Sequence, residues 1–221
     1  MSLIVQNLKK SFSQGETKIE VLKGLNLHIE SGRIVAILGQ SGSGKSTFLG
    51  LLSGLDNPDE GTIEISGQMM TSLNPEERTL FRGKNIGIVF QQFHLVPHLT
   101  ALENVALPLE IQGEKDVHGR AAKMLESLGL GHRLHHAPGQ MSGGESQRVA
   151  IARALVGNPR LILADEPSGN LDLETGEKVT QVFFDQIRKS GITTILVTHN
   201  PELAARCDQR FHLRGGLCVP A

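Results

Sequence analysis

The sequence predicts an α/β fold with an antiparallel β subdomain and an inserted helical subdomain, and three features of the residue pattern carry that prediction. Ile34-Val-Ala-Ile-Leu38, Leu161-Ile-Leu-Ala164 and Ile195-Leu-Val197 are short unbroken apolar runs, the mark of strands buried on both faces of a central sheet. The first thirty residues mostly alternate apolar and polar, with Gly15, Gly24 and Gly32 as punctuation, which suits short antiparallel strands. From Thr100 onward helical patterns dominate until the second apolar run.

Taken in chain order, Ile4–Leu8, Lys18–Leu22 and Leu25–Ile29 read as three short strands, and Arg33–Leu38 as the first buried one. A glycine-rich stretch, Gly39–Gly44, leads into a helix over Lys45–Ser53 that ends near Gly54, and Gly61–Gly67 is a further strand. Thr100 followed by Glu103 has the spacing of a reciprocal helix cap, and the amphipathic stretch from Asp116 to Leu128 closes at Gly129. A helix from about Leu173 to Lys189 separates the last two β runs. No internal repeat interrupts this order, so residues 92–158 are assigned as a helical insertion into a core made of residues 1–91 and 159–221.

Composition narrows the function. The chain has 221 residues, 39% of them hydrophobic, enough to bury a real core. Twenty-two basic against 23 acidic residues leave a formal charge of −1, which argues against a nucleic-acid partner. The apolar runs are too short to span a bilayer and Met1-Ser-Leu-Ile lacks the regions of a signal peptide, so the expectation is a cytoplasmic chain, or one held at a membrane by another protein. Cys207 and Cys218 lack metal or redox spacing and read as structural.

Four segments carry the chemistry. Gly39-Gln-Ser41-Gly42-Ser43-Gly44-Lys45-Ser46 follows a strand and opens a helix, the context that a phosphate-cradling P-loop requires, so the core is predicted to be a P-loop NTPase. Gly42 and Gly44 let successive N–H groups face phosphates, Lys45 neutralises the outer ones, Ser46 can ligate Mg²⁺ and Thr47 adds a hydroxyl. Asp165-Glu166 sits at the C-terminal end of a buried strand: Asp165 is placed to hold Mg²⁺ through water and Glu166 to orient or deprotonate an attacking water, although alone the pair also reads as solvated turn acids before Pro167. His199, also at a strand end, is a candidate contact to a terminal phosphate or alternatively a structural histidine. Finally, Ser142-Gly143-Gly144-Glu145 opens the helix that runs to Val156, presenting bare N–H groups and a positive helix end suited to an anion, although alone it also reads as a glycine-rich turn with a Ser cap.

With these segments in this order, the sequence resembles the nucleotide-binding domain of ATP-binding cassette (ABC) transporters over nearly its whole length. The resemblance makes Gly39–Ser46 the Walker A loop, Met141–Gln147 the signature loop, Leu161–Asp165 Walker B, Ser168–Asp172 the D-loop and His199 the switch histidine. It implies that Gln91 contacts Mg²⁺ and relays its state to membrane subunits, with Gln92 adjacent, and that Phe12 stacks on adenine where relatives often carry Tyr. It implies, too, an ATPase that closes around ATP as a head-to-tail homodimer, each site completed by Ser142–Gly144 of the other copy, and docks on integral membrane permeases at the cytoplasmic face of the inner membrane. Gln91–Pro97 with Leu99, Leu102 and Val105 would form the docking groove, or alternatively pack the insertion. Val89–Pro97, Leu102–Pro108, Ser168–Asp172 and Leu203–Asp208 are most similar to the lipoprotein-releasing and macrolide-exporter group. A signalling ATPase that moves a membrane partner without transport, and a soluble ABC ATPase acting on nucleic acid or ribosomes, are the alternatives. The cluster His132, His135 and His136 reads as a solvated loop rather than a metal site.

Overall fold

A computed structural model describes residues 2–15 and 17–221; Met1 of the N-terminal segment read above and Glu16 lie outside the described residues. The chain divides into two compact units, Met1–Arg82 with Gly191–Ala221, and Gly83–Ser190.

In the first unit, β1 (Leu3–Gln14) pairs antiparallel with β2 (Thr17–Ile29) on one side and β4 (Glu60–Ile65) on the other, and β4 turns back into β5 (Gln68–Met69). The two strands expected on either side of Gly24 are one. Pairing passes from Leu8↔Leu25 to Lys9↔Lys23, so Gly24 is the extra residue of a β-bulge, and its φ of 98° explains why glycine stands there without ending the strand. Leu3, Val5, Leu25, Ile29 and Ile63 from these strands are buried. The parallel part of this unit holds β3 (Ile34–Leu38) between β8 (Thr193–Thr198) and β9 (Gln209–Arg214), with β10 (Leu217–Pro220) antiparallel on β9. Both β3 and β8 are almost wholly buried, as their unbroken apolar runs require. Helix α1 (Lys45–Leu52) follows β3 and buries Phe48, Leu49, Leu51 and Leu52, while the short α7 (Pro201–Ala205) starts at Asn200, whose Oδ1 accepts from the N–H groups of Glu202 and Leu203. Sequence patterning did not anticipate α2 (Pro75–Asn85), which runs into the second unit, nor the β9–β10 hairpin. Helix α2 buries none of its side chains and therefore has no apolar stripe to read.

The second unit places β6 (Ile86–Val89) parallel to β7 (Leu161–Asp165) and packs α3 (Ala101–Ile111), α4 (Val117–Ser127), α5 (Gly143–Leu155) and α6 (Leu173–Ser190) into one helical core. The Thr100/Glu103 cap forms as read: the Thr100 N–H donates to Glu103 Oε2 at 2.7 Å and the Glu103 N–H to Thr100 Oγ1 at 3.3 Å. Helix α5 lies so close to β6 that a side chain at Gly87 would strike the Ala154 carbonyl oxygen and come within 2.6 Å of Ile162 Cδ1. That close approach seats the helix that opens at Ser142–Gly144.

Candidate functional site

In the first unit, β3 delivers the chain to Gly39 and α1 begins at Lys45. Between them, Gly42 and Gly44 take φ values of 78° and 98°, conformations that L-residues rarely adopt. Gly39 is fixed by crowding instead, because a Cβ there would collide with Ser43 Oγ and lie 3.1 Å from the Leu213 carbonyl oxygen. The Lys45 ammonium folds over the loop and donates to the carbonyls of Gly39 at 2.8 Å and Gln40 at 2.9 Å. The Ser43 hydroxyl is buried with no hydrogen-bond partner. Leaving it so costs about 1–3 kcal/mol, which a phosphate oxygen would relieve. Ser41, Gly42 and Ser46 are exposed, and Thr47, the third residue of the helix, is half-buried.

His199, directly after β8, lines with Gly39–Ser43 a cavity of roughly 1000 Å³. His212 and Arg214 of β9 reach the same cavity, and no local pattern announced them because only the parallel pairing of β9 with β3 brings them there. Phe12 does not line it. On β1 its ring is 44% exposed and carries the Lys10 ammonium 5.2 Å from its centroid, with Lys10 itself held by Asp56 at 2.8 Å and the Asn57 carbonyl at 2.7 Å.

In the second unit, Ser142 caps α5. Its Oγ accepts from the Glu145 N–H at 3.2 Å, and its own N–H donates to Glu145 Oε2 at 2.8 Å. The N–H groups of Gly143 and Gly144 fall in the first turn, where no intrahelical carbonyl can meet them. Both glycines also answer to packing: a Cβ on Gly144 would lie 2.5 Å from Thr175 Cγ2 of α6, and one on Gly143 would lie 3.1 Å from Leu171 Cδ2. Glu145 is engaged by the cap rather than offered to solvent. Its Oε1 accepts from Arg133 Nε at 2.8 Å, with His132 Nε2 3.9 Å from the same oxygen and His136 Nε2 3.3 Å from the Arg133 guanidinium. The histidine cluster thus contributes two rings around this ion pair.

The Ser142 N–H, helped by Arg133 against burial, lowers the Glu145 carboxyl from 4.5 to about 2. Since the folded carboxyl binds its proton more weakly than the unfolded one, the cap's contribution is complete above about pH 4.5 and is lost as pH falls toward about 2. Glu145→Ala is expected to cost about 1–2 kcal/mol in urea melts at pH 7. The gap to the parent chain should narrow by pH 4; a gap that stays constant would assign the loss to packing.

At the end of β7, Asp165 and Glu166 are both half-buried, and Glu166 has φ 43°. The Glu166 carbonyl accepts from the Gly169 N–H at 2.9 Å, and the Asp172 carboxylate caps α6 by accepting from the Thr175 N–H at 3.0 Å. Gln91, two residues beyond β6, donates from Nε2 to Asn170 Oδ1 at 3.0 Å. Helix α5 grips the chain on either side of Gln91: Gln147 Nε2 donates to the Phe90 carbonyl at 3.2 Å, and the Arg153 guanidinium to the carbonyls of Phe93 and His94 at 3.0 and 2.7 Å. Asn104, fully buried in α3, accepts from the Val96 N–H at 2.8 Å and donates to the carbonyls of Val96, Leu99 and Thr100. One signal for Asn104 was available, a polar residue on the apolar face that Ala101, Val105 and Leu109 define. Val105 itself is buried in the helical core and lines no open groove, whereas Pro97 and His98 are exposed.

Ser46 in the first unit offers a hydroxyl, and in the second unit Gln91 offers an amide oxygen and Asp165 a carboxylate; each is a hard oxygen donor of the kind Mg²⁺ takes, unlike the thiolates or imidazoles of softer ions. A loop built like Gly39–Ser46 is the kind that cradles a nucleoside triphosphate, so the class is a P-loop nucleotide-binding protein. The comparisons with known proteins are specific. Residues 22–169 match the family model described as ABC transporter. The chain is 48% identical over 214 residues to the Escherichia coli K12 protein named uncharacterized ABC transporter ATP-binding protein YbbA, covering 96% of this chain and 94% of that one. It is also 48% identical over 217 residues to the Alcanivorax borkumensis lipoprotein-releasing system ATP-binding protein LolD, covering 97% and 95%. Among solved structures, the dimeric cassette MJ0796 in a post-hydrolysis state, bound to ADP and Pi, superposes with a TM-score of 0.88 at 41% identity, covering 98% of this chain and 96% of that one. The chain belongs to the ABC transporter family and is its ATP-binding, ATP-hydrolysing subunit.

Proposed function

We propose that the chain works as a head-to-tail homodimer that closes on MgATP and opens after hydrolysis, driving an integral membrane permease of the lipoprotein-releasing or macrolide-exporter type. The observation that carries this reading is the Ser142-capped start of α5, whose two glycines keep N–H groups turned out in a turn locked by Glu145 and Arg133. That turn is an anion receptor, and the dimeric state of the solved relative supports its use by a second copy.

In this scheme Lys45 and the Gly39–Thr47 loop hold the phosphates, with Phe12 against the base. Ser46, Gln91 and Asp165 would hold Mg²⁺, which when bound neutralises charge on the outer phosphates. Glu166 accepts a proton from the attacking water while His199 orients it toward the terminal phosphate. Residues 92–158 serve as the helical insertion on a core of 1–91 and 159–221, and the chain sits at the cytoplasmic face of the inner membrane through its permease. Among the described residues no helix is long and apolar enough to cross a membrane, so attachment would rest on that partner.

The docking surface is assigned to Gln91–Leu99, held in shape by Arg153 and Asn104. With His98 changed to Cys, a crosslinker added to native membranes is expected to join the chain to one integral membrane protein. Joining only to soluble proteins, ribosomes or nucleic acid would replace this reading with a soluble ABC ATPase. Reconstitution of that pair in vesicles separates transport from mechanical signalling: a partner that moves no solute would favour the latter.

A further inference from the structure

We infer that Asn170 is the positioning residue that turns the Gln91 side chain so that its amide oxygen, and not its nitrogen, is presented to a divalent cation. The inference rests on the reading of Gln91 as a cation ligand given above. It begins from a reciprocal pair between the segment after β6 and the loop between β7 and α6. Asn170 Nδ2 donates to the Gln91 carbonyl at 3.1 Å, and Gln91 Nε2 donates to Asn170 Oδ1 at 3.0 Å.

The chemistry of the pair fixes both amides. A backbone carbonyl only accepts, so the Asn170 nitrogen must face it. That leaves Asn170 Oδ1 as the atom turned toward the Gln91 side chain, and an oxygen there only accepts, so the Gln91 nitrogen must face Asn170. The remaining corner of the Gln91 amide is its oxygen, the one atom of that group able to ligate a hard cation. Without Asn170 the amide can rotate by half a turn and offer N–H groups that repel the ion.

A second observation places this pair beside the hydrolytic carboxylate. A Cβ built on Gly169 would lie 2.9 Å from Gln91 Nε2 and 3.3 Å from Glu166 Oε2. Gly169 has no positive φ, so it is not held by backbone conformation; what a side chain would disturb there is the Gln91 amide and the Glu166 carboxylate. Asn170 is itself exposed, which lets it be replaced without opening a core.

The test uses the full chain with Mn²⁺ as the probe, its affinity followed by electron paramagnetic resonance in the presence of a non-hydrolysable ATP analogue. Metal-free binding of a fluorescent ATP in EDTA serves as the control. Asn170→Leu is expected to weaken Mn²⁺ binding roughly tenfold or more, with metal-free nucleotide affinity unchanged within about twofold. Gly169→Ala should act in the same direction by displacing the amide. In a Gln91→Ala background, Asn170→Leu should have no further effect on Mn²⁺. A full additional loss in that background, or an equal loss of metal-free nucleotide affinity, would overturn the inference, as would unaltered Mn²⁺ affinity in Asn170→Leu when Gln91→Ala weakens it. If Gln91→Ala itself leaves Mn²⁺ affinity unchanged, the assignment of Gln91 as a ligand fails and the inference falls with it.

Discussion

Mixing two inactive variants, Lys45→Ala and Ser142→Asp, is expected to restore ATP turnover. In a head-to-tail dimer each nucleotide meets one chain's Lys45 and the other chain's Ser142. The mixed dimer therefore gathers both lesions into one site and leaves the other with an intact Lys45 and an intact Ser142. Lys45→Ala removes the ammonium that now spans the Gly39 and Gln40 carbonyls and would neutralise the outer phosphates, and loss of one such electrostatic contact costs roughly 10²–10³-fold. Ser142→Asp is chosen because Asp caps helices as well as Ser, so α5 keeps its start while a carboxylate replaces the hydroxyl in the anion receptor. Each variant alone should show turnover reduced by roughly two orders of magnitude. In an equimolar mixture half of randomly paired dimers carry one good site, so activity should rise to roughly a quarter of the parent's if the sites act independently. A mixture no more active than its components, with both chains folded by circular dichroism, would mean that the signature loop does not act in trans.

How much of this was written locally follows from the residues involved. The Gly39–Ser46 loop was legible because Gly42 and Gly44 answer to backbone conformation, a requirement that a short stretch of sequence states by itself. The cap at Ser142 was legible for a similar reason, since its partner Glu145 lies three residues away. The close packing of Gly144 on Thr175 was not, because nothing near Gly144 names a residue from another helix. Arg133, Arg153 and Asn104 escaped in the same way. Their partners are a carboxylate twelve residues on, carbonyls about sixty residues back, and a loop beneath the helix, all set by packing. Gly24 misled because glycine marks both a strand end and a bulge, and only the register with Lys9 distinguishes them. The α/β character survived such errors because it rests on β3, β7 and β8, whose burial on both faces shows in all but the last residue of β3 and of β7.

Glu166→Gln should slow hydrolysis by roughly 10²–10⁴-fold, the range for removing a general base, while leaving ATP affinity within a few-fold of the parent. Glutamine matches glutamate in size and in the half-buried place beside Gly169, so the change removes proton affinity and little else. The backbone at this position sharpens the argument. Glu166 holds φ 43° immediately before Pro167, a conformation that costs a non-glycine residue of order 1–3 kcal/mol. A purely structural residue there would be better served by glycine, so Glu166→Gly should also abolish turnover without a comparable loss of thermal stability. If closure on ATP is what joins two chains, Glu166→Gln in saturating MgATP should accumulate as a dimer on gel filtration and return to monomer when nucleotide is removed. A Glu166→Gln chain that hydrolyses at the parent rate would remove Glu166 from the chemistry. One that stays monomeric with ATP bound would leave the base in place and remove the dimer.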